Sequence, residues 1–199
     1  LMIPAGELEL EARHAPGDGS RAAVLCHPHP QYGGSMDNNV VHAARDALGA
    51  RGFGTLRFNF RGVGRSTGEH AGGDGEAEDL VHVVADLEAR EGVPVHVAAY
   101  SFGARVAVQA CTHHGLAPTS LMLFSPPVDH MSFDGLELPA CDTLIVIGDR
   151  DEFCALSSLD RWLAGLPDAR TQRVVLRGGD HFYWGQESAL ARAITEFVG

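Results

Sequence analysis

Short, unbroken runs of apolar residues alternate along the chain with segments that repeat at the period of a helix, and this alternation is the feature that most limits the fold. The apolar runs occupy residues 22–26, 56–60, 95–100, 121–124, 144–147 and 174–176. Because most of them are continuous, they are typical of strands that are covered on both faces. Strands of this kind separated by helices predict an α/β fold, with a mostly parallel, twisted sheet and helices on both of its faces.

Helical periodicity falls between the apolar runs. The two clearest apolar stripes are Val40, Val41, Ala44, Ala47 and Leu48, and Ala77, Leu80, Val81, Val84 and Leu87. They predict one helix after the first run and another after the second. Further helices are predicted from Ser101, near Leu156 and over residues 190–197. Ser35 or Asp37 is expected to cap the first helix, because short polar side chains accept the free N–H groups of a helix start.

The opening segment has a different pattern. Glutamates at positions 7, 9 and 11 alternate with Leu8, Leu10 and Ala12. Strict alternation is typical of an antiparallel strand with one face in water. We therefore expect an antiparallel edge strand at this end of the sheet.

Size and charge exclude several classes of protein. The chain has 199 residues and a formal net charge of −11. A chain of about 100–200 residues forms one domain, so residues 1–199 are expected to fold as a single domain. An acidic surface repels phosphates, so neither nucleic acid nor an anionic membrane is an expected partner. The oligomeric state does not follow from the sequence.

Cysteine spacing and the N-terminal residues indicate a compartment. Cys26, Cys111, Cys141 and Cys154 are far apart and form no CxxC pair, so we expect reduced thiols. No apolar run approaches the ~20 residues of a membrane span, and the first residues lack the features of a signal peptide. The sequence therefore predicts a cytoplasmic protein.

The chemistry of the chain is concentrated in a short segment after the run at 95–100. Ala99-Tyr100-Ser101-Phe102-Gly103 follows a predicted buried strand and opens a predicted helix. This is the context of a nucleophile elbow, in which a sharp turn exposes the serine hydroxyl and leaves the next N–H group free. The segment resembles the G-x-S-x-G motif of the α/β-hydrolase fold, with Ala99 in place of the first glycine. The resemblance implies that Ser101 is a nucleophile.

An acid and a base follow in the order that this fold uses. The run at 144–147 leads into Asp149 and Asp151, and the run at 174–176 leads into His181. Histidine can take the serine proton near neutral pH, and a carboxylate can hold the imidazole in the required tautomer. The order serine, acid, histidine matches the α/β hydrolases. Asp149 is the alternative acid, but the resemblance places the acid three residues after Gly148, and we therefore predict Ser101, Asp151 and His181 as the triad.

Two further segments resemble the same fold. The run at 22–26 continues into His27-Pro28-His29-Pro30, where an α/β hydrolase carries a donor of its oxyanion hole. Pro28 and Pro30 have no N–H group. The resemblance implies that the N–H groups of His29 and Phe102 form the hole. Residues 59–66 resemble the arginine-glycine turn of the fold, in which Arg61 is expected to bind nearby carbonyl groups.

Together these segments resemble small bacterial α/β hydrolases without a lid, similar in architecture to dienelactone hydrolases. The resemblance spans about residues 20–198 and implies serine-hydrolase chemistry without a cofactor. Residues 127–142 are too few for a lid, so we expect an open site. The expected apolar walls are Tyr32, Phe153 and Phe182, with Phe102, Met131, Phe133, Tyr183 and Trp184 as further candidates. We therefore predict a carboxylesterase that acts on short or medium acyl esters of small molecules.

Other functions remain open at this point. The same triad serves thioesterases and acyltransferases, and a chain can keep this fold as a non-catalytic binding protein. A metal centre would need ligands from the five histidines His27, His29, His113, His114 and His181. His113 and His114 end the helix that begins at Ser101, roughly 18 Å from it at about 1.5 Å per residue. No metal site is therefore predicted.

Overall fold

The computed structural model describes residues 1–166 and 170–199, and within them the strands form one sheet. The strands are β1 (Met2–Ala5), β2 (Leu8–Ala15), β3 (Ala22–Cys26), β4 (Gly54–Phe58), β5 (Val95–Tyr100), β6 (Ser120–Phe124), β7 (Asp142–Gly148) and β8 (Thr171–Leu176). Their spatial order is β1-β2-β4-β3-β5-β6-β7-β8. The strands β3 to β8 pair in parallel with one another. β2 is antiparallel to both of its neighbours, β1 and β4.

Helices cover both faces of the sheet. They are α1 (Asn39–Gly49), α2 (Asp74–Glu91), α3 (Phe102–His113), α4 (Leu156–Ala164) and α5 (Glu187–Val198). Alternate residues of β3 show how the two cores are divided, since Val24 belongs to the core that contains α2 and α3 and Leu25 belongs to the core that contains α1 and α5. The apolar runs that form β3 to β7 are therefore buried from both sides, and the predicted α/β architecture is confirmed. No helix in the described ranges is long and apolar enough to cross a membrane.

The two edges of the sheet differ from the sequence prediction. β2 is antiparallel with alternating burial, as predicted, but it is not the edge, because β1 pairs along its outer side. Ile3 and Ala5 of β1 are buried, which stabilises this additional strand. At the opposite edge, Gln172, Arg173 and Val175 of β8 are exposed, so this run is not covered on both faces.

The start of α1 also differs from expectation. Its cap is Asn38, whose Oδ1 accepts the N–H of Val40 at 2.9 Å. Neither Ser35 nor Asp37 caps the helix. Asp37 instead forms an ion pair with the guanidinium of Arg57. This tertiary contact uses the carboxylate that the local sequence predicted as a helix cap.

The turn after β4 is held by an ion pair rather than by carbonyl groups. Arg61 Nε and Nη2 donate to the two carboxylate oxygens of Asp79 on α2, at 3.0 and 2.7 Å. The Arg61 N–H donates to the same carboxylate at 3.1 Å. Asp79 is fully buried. Because its desolvated charge is compensated by this forked contact, the pair fixes the turn against α2.

We expect Asp79→Ala to lower the free energy of unfolding by about 3 kcal/mol, because it leaves a largely buried guanidinium without its partner. Urea denaturation measures this change. Asp86→Ala is the matched control, since it breaks an exposed Asp86–Arg90 pair on the same helix and should cost less than about 1 kcal/mol. Equal losses in the two variants would contradict a structural role for the Arg61–Asp79 pair.

Candidate active site

Ser101 lies on a strained turn between β5 and α3. Its backbone has φ 54° and ψ −117°, a conformation that L residues rarely adopt. The Ser101 N–H donates to the carbonyl of Phe124 at 2.9 Å, and its own carbonyl accepts the N–H of Ala104 at 2.9 Å. The neighbouring strand and the helix therefore hold the turn, and the hydroxyl faces His181.

Gly103 allows the helix to approach the sheet behind this turn. A Cβ atom there would lie 2.7 Å from the His27 carbonyl oxygen and 2.9 Å from Cys26 Cβ. Any side chain at this position would push α3 away from β3. Ala99, where the motif has glycine, is completely buried in the core beneath the turn. The extra methyl is therefore accommodated.

The structure brings Ser101, His181 and Asp151 into one hydrogen-bonded line. Ser101 Oγ lies 2.9 Å from His181 Nε2, and His181 Nδ1 lies 2.9 and 3.0 Å from the two carboxylate oxygens of Asp151. The carboxylate accepts the Nδ1 proton, which leaves Nε2 to accept the serine proton. The side chain of Asp151 has 0% exposure and that of His181 has 5%. Water is thus largely excluded from the contact.

Backbone groups orient the carboxylate of Asp151. Its Oδ1 accepts the N–H groups of Phe153 and Cys154 at 2.8 and 3.1 Å. Asp149, the alternative acid, is exposed, and its Oδ1 accepts the N–H of Gly178 at 2.7 Å. The structure therefore places Asp151 against His181 and uses Asp149 to join the turns after β7 and β8.

His181 is also held on its backbone side. The buried Tyr100 Oη donates to the His181 carbonyl at 2.9 Å. The rings of Phe153 and Phe182 lie 4.3 and 5.6 Å from the imidazole, measured between centroids. These contacts fix both ends of the histidine. The role of Tyr100 was missed by the sequence analysis, although its position just before Ser101 at the end of β5 could have indicated it.

The loop after β3 is organised by His27. This side chain is fully buried, its Nδ1 lies 2.6 Å from the Pro28 carbonyl oxygen, and its Nε2 accepts the Phe60 N–H at 3.1 Å. Burial lowers the pKa of His27 to about 4, so the ring is neutral. Both ring nitrogens are thus occupied in joining the loop to the end of β4, and neither is free to bind a metal ion.

Of the two N–H groups predicted for the oxyanion hole, one belongs to His29 in the loop after β3 and the other to Phe102, the first residue of α3. The ring of His29 packs on the ring of Phe102 with 4.8 Å between centroids. Across residues 1–166 and 170–199, the backbone N–H groups of His29 and Phe102 have no hydrogen-bond acceptor. Both are therefore available as donors.

Two cavities meet at Ser101. The first, about 320 Å³, is lined by His29, Tyr32, Ser101, Phe102, Pro127, His130, Met131 and Phe153. The second, about 430 Å³, is lined by Pro28, His29, Tyr32, Gly33, Gly34, Asn38, Tyr100, Ser101, Phe153, His181 and Phe182. Of the predicted walls, Tyr32 and Phe153 border both cavities and Phe182 borders the second. Pro127 and His130 were not among the predicted walls.

Three other candidate walls lie elsewhere. Phe133 is buried against Trp162, and Tyr183 is buried in the core, where its Oη donates to the Val146 carbonyl at 2.8 Å. Trp184 is 70% exposed and borders neither cavity. Tyr183 and Trp184 lie at a sharp turn, because the backbone of Tyr183 has φ 60°. Consecutive side chains therefore point in different directions.

Neither the cysteine thiols nor His114 is part of this arrangement. Cys26 and Cys154 are buried, and burial raises the pKa of the Cys154 thiol to about 12. His114 contacts Asp74 at the far end of α3. Among the residues that the structure describes, no group of three or more His, Cys, Asp or Glu side chains is placed to hold a metal ion.

Comparison with known proteins agrees with the fold. A family model described as "Alpha/beta hydrolase domain" matches residues 21–192. The chain is 31% identical to an α/β serine hydrolase homologue from Coxiella burnetii, covering 100% of this chain and 96% of that one with a TM-score of 0.92. It is 32% identical to an α/β serine hydrolase without a lid from Xanthomonas campestris, covering 100% and 92% with a TM-score of 0.87. An uncharacterized protein of Rickettsia prowazekii is 28% identical, covering 98% of this chain and 85% of that protein. The chain belongs to the α/β hydrolase family.

We expect Gly103→Ala to lower the free energy of unfolding by about 1–3 kcal/mol, because the new Cβ overlaps the backbone of the strand beside it. Gly49→Ala is the matched control. A Cβ at Gly49 meets no atom within 4 Å, and alanine favours the helix, so this variant should be more stable by about 0.5–1 kcal/mol. Chemical denaturation of the two variants side by side measures both changes. An unchanged stability in Gly103→Ala would contradict the close approach of α3.

Proposed function

We propose that this protein is a serine hydrolase, and specifically a carboxylesterase that cleaves short or medium acyl esters through an acyl-enzyme on Ser101. The observation that carries the proposal is the buried line from Ser101 Oγ through His181 to the Asp151 carboxylate. A serine hydroxyl is a poor nucleophile unless a positioned base removes its proton. The contacts supply that base and the carboxylate that orients it.

The first half of the proposed reaction forms the acyl-enzyme. His181 Nε2 takes the hydroxyl proton as Ser101 Oγ bonds to the ester carbonyl carbon, and the carbonyl π electrons move onto oxygen. The N–H groups of His29 and Phe102 stabilise this oxyanion, each donor contributing about 3 kcal/mol in comparable sites. The tetrahedral intermediate then expels the alcohol oxygen, which takes the proton from Nε2.

Water completes the cycle. A water molecule gives a proton to His181 Nε2 as its oxygen bonds to the acyl carbon, and collapse of the second intermediate returns the proton to Ser101 Oγ. The products are a carboxylic acid and the free enzyme. No step needs a cofactor. The rim residues Tyr32 and Phe182 are exposed, at 88% and 46%, so water can reach the acyl-enzyme, which favours hydrolysis over transfer to another acceptor.

The cavities and the charge support a small, uncharged ester as substrate. The lining is mainly aromatic and aliphatic, and volumes of about 320 and 430 Å³ suit short or medium chains. The net charge of −11 disfavours polyanionic substrates such as thioesters of coenzyme A. Thioester cleavage on the same triad is the alternative, and a chain-length series of paired oxygen and thiol esters distinguishes the two.

Incubation with a fluorophosphonate should add one phosphonyl group per chain, and peptide mapping should find it on Ser101. Ser101→Ala should remain unlabelled and lose at least about 10³-fold in ester turnover while staying folded. Ser125→Ala is the matched control, because Ser125 is also buried with a positive φ but donates to Tyr183 Oη rather than to a histidine. Labelling elsewhere, or persistent turnover in Ser101→Ala, would overturn the proposal.

The two aspartates give an independent test. We expect Asp151→Asn to lower kcat by about 10⁴-fold, because asparagine no longer holds the imidazole in the tautomer that accepts the serine proton. Asp149→Asn removes a carboxylate two residues away that contacts Gly178 and not His181, so kcat should change by less than about tenfold. Steady-state kinetics on one ester decides the matter. A larger fall in Asp149→Asn would identify Asp149 as the acid.

A further inference from the structure

The side chain of His29 lines both cavities at Ser101. The proposed reaction uses only the backbone N–H of His29, so its imidazole has no part in it. The ring is packed between those of Tyr32, Phe102 and His70, at centroid distances of 4.8, 4.8 and 5.0 Å. Contacts on several sides fix the orientation of an imidazole that would otherwise rotate freely. The side chain is therefore held in one position beside Ser101.

A backbone contact determines which ring nitrogen of His29 carries the proton. The N–H of Gln31 donates to His29 Nδ1 at 3.3 Å, so Nδ1 accepts. In a neutral imidazole the proton is then on Nε2. In the described part of the chain, Nε2 contacts no hydrogen-bond acceptor. His29 thus offers a fixed N–H donor with no protein partner.

The surroundings favour the neutral ring. Burial and the neighbouring His70 lower the pKa of His29, and Glu76 opposes this effect. The carboxylate of Glu76 is itself buried and lies 2.8 Å from His70 Nδ1. It also accepts the N–H groups of Ala71 and Gly73, so its charge is largely compensated where it stands. A neutral ring at position 29 donates a hydrogen bond without attracting anions.

The two cavities differ in their relation to the reaction. His181 must return its proton to the leaving oxygen, so the alcohol portion of an ester belongs in the second cavity, which His181 and Phe182 line. The first cavity, lined by Phe102 and not by His181, then holds the acyl portion. His29 lines both cavities and packs on Phe102. Its side chain therefore borders the space that is assigned to the acyl portion.

We infer that the imidazole of His29 is a specificity-determining group, which donates from Nε2 to an oxygen on the acyl chain next to the scissile carbonyl. The favoured substrates are then esters of 2-alkoxy or 2-hydroxy acids rather than of simple alkanoic acids. This inference rests on the proposed function, because it assigns the acyl group that the same site accepts.

Two p-nitrophenyl esters of equal chain length test the inference. The methoxyacetate differs from the butyrate in having an ether oxygen where the butyrate has a methylene. The ratio of their kcat/KM values is measured for the wild-type protein and for His29→Phe, which keeps an aromatic ring of similar size and the backbone N–H but has no side-chain donor. Comparing the two ratios cancels the intrinsic reactivity of the esters. Loss of one neutral hydrogen bond should lower the ratio about fivefold in His29→Phe.

Further variants keep the test decisive. His29→Gln retains a donor at a similar reach and should keep the ratio within about twofold of the wild-type value. His29→Leu should behave like His29→Phe and replaces it should the phenylalanine variant not fold. His130→Phe removes an imidazole that lines the same cavity but packs on Phe153 rather than on Phe102, and it should leave the ratio unchanged.

The outcomes separate this inference from the proposed function. An unchanged ratio in both His29→Phe and His29→Leu, with both esters still hydrolysed, would overturn the role of His29 and leave the esterase proposal intact. A fall in His130→Phe instead of the His29 variants would also overturn it. Absence of turnover of either ester by folded wild-type protein, together with no fluorophosphonate labelling, would overturn the proposed function and this inference with it.

Discussion

The common direction of the strands from β4 to β8 is the constraint on which the site depends. Parallel strands end at the same edge of a sheet, so the residues that follow them are neighbours in space even when they are distant in sequence. Ser101 follows β5, Asp151 follows β7 and His181 follows β8. Helices cover both faces of the sheet and bury the strands from β3 to β7. The direction of the strands alone thus places the three side chains at one edge of the sheet, independently of any specific contact among them.

Local contacts then refine this coarse placement to hydrogen-bond distances. The strained backbone of Ser101 is possible because Gly103 lets α3 come close to β3. The carboxylate of Asp151 is turned by two backbone N–H groups, and the carbonyl of His181 is held by Tyr100. Each of these contacts involves a group that is buried or nearly so. Their strength therefore comes from a medium in which the alternative, an unpaired polar group, is costly.

The sequence was sufficient for the features that depend on nearest neighbours along the chain. Continuous apolar runs indicated buried strands, and a serine between a strand and a helix indicated the sharp turn. Features that depend on partners distant in the sequence could not be predicted from local patterns. Arg61 has a carboxylate partner that lies 18 positions away on α2, and Asp37 is taken from the helix cap by Arg57. The four residues of β1 are too few to show a period, so the true edge of the sheet was missed. The diverging side chains around Tyr183 depend on a backbone angle that the residue type does not reveal.

The loop that carries His181 is tied to the sheet at several points. Tyr100 Oη from β5 binds the carbonyl of His181, and Tyr183 Oη binds the carbonyl of Val146 in the middle of β7. Asn39 at the start of α1 donates to the carbonyl of Phe182 at 3.0 Å. A surface loop of this kind would ordinarily fray on its own, but here opening it requires breaking buried contacts with β5 and β7 together with the contact to α1. Amide hydrogen exchange in this loop should therefore follow the global unfolding of the sheet. The fraction of molecules in which His181 has left the triad is then set by the stability of the whole molecule.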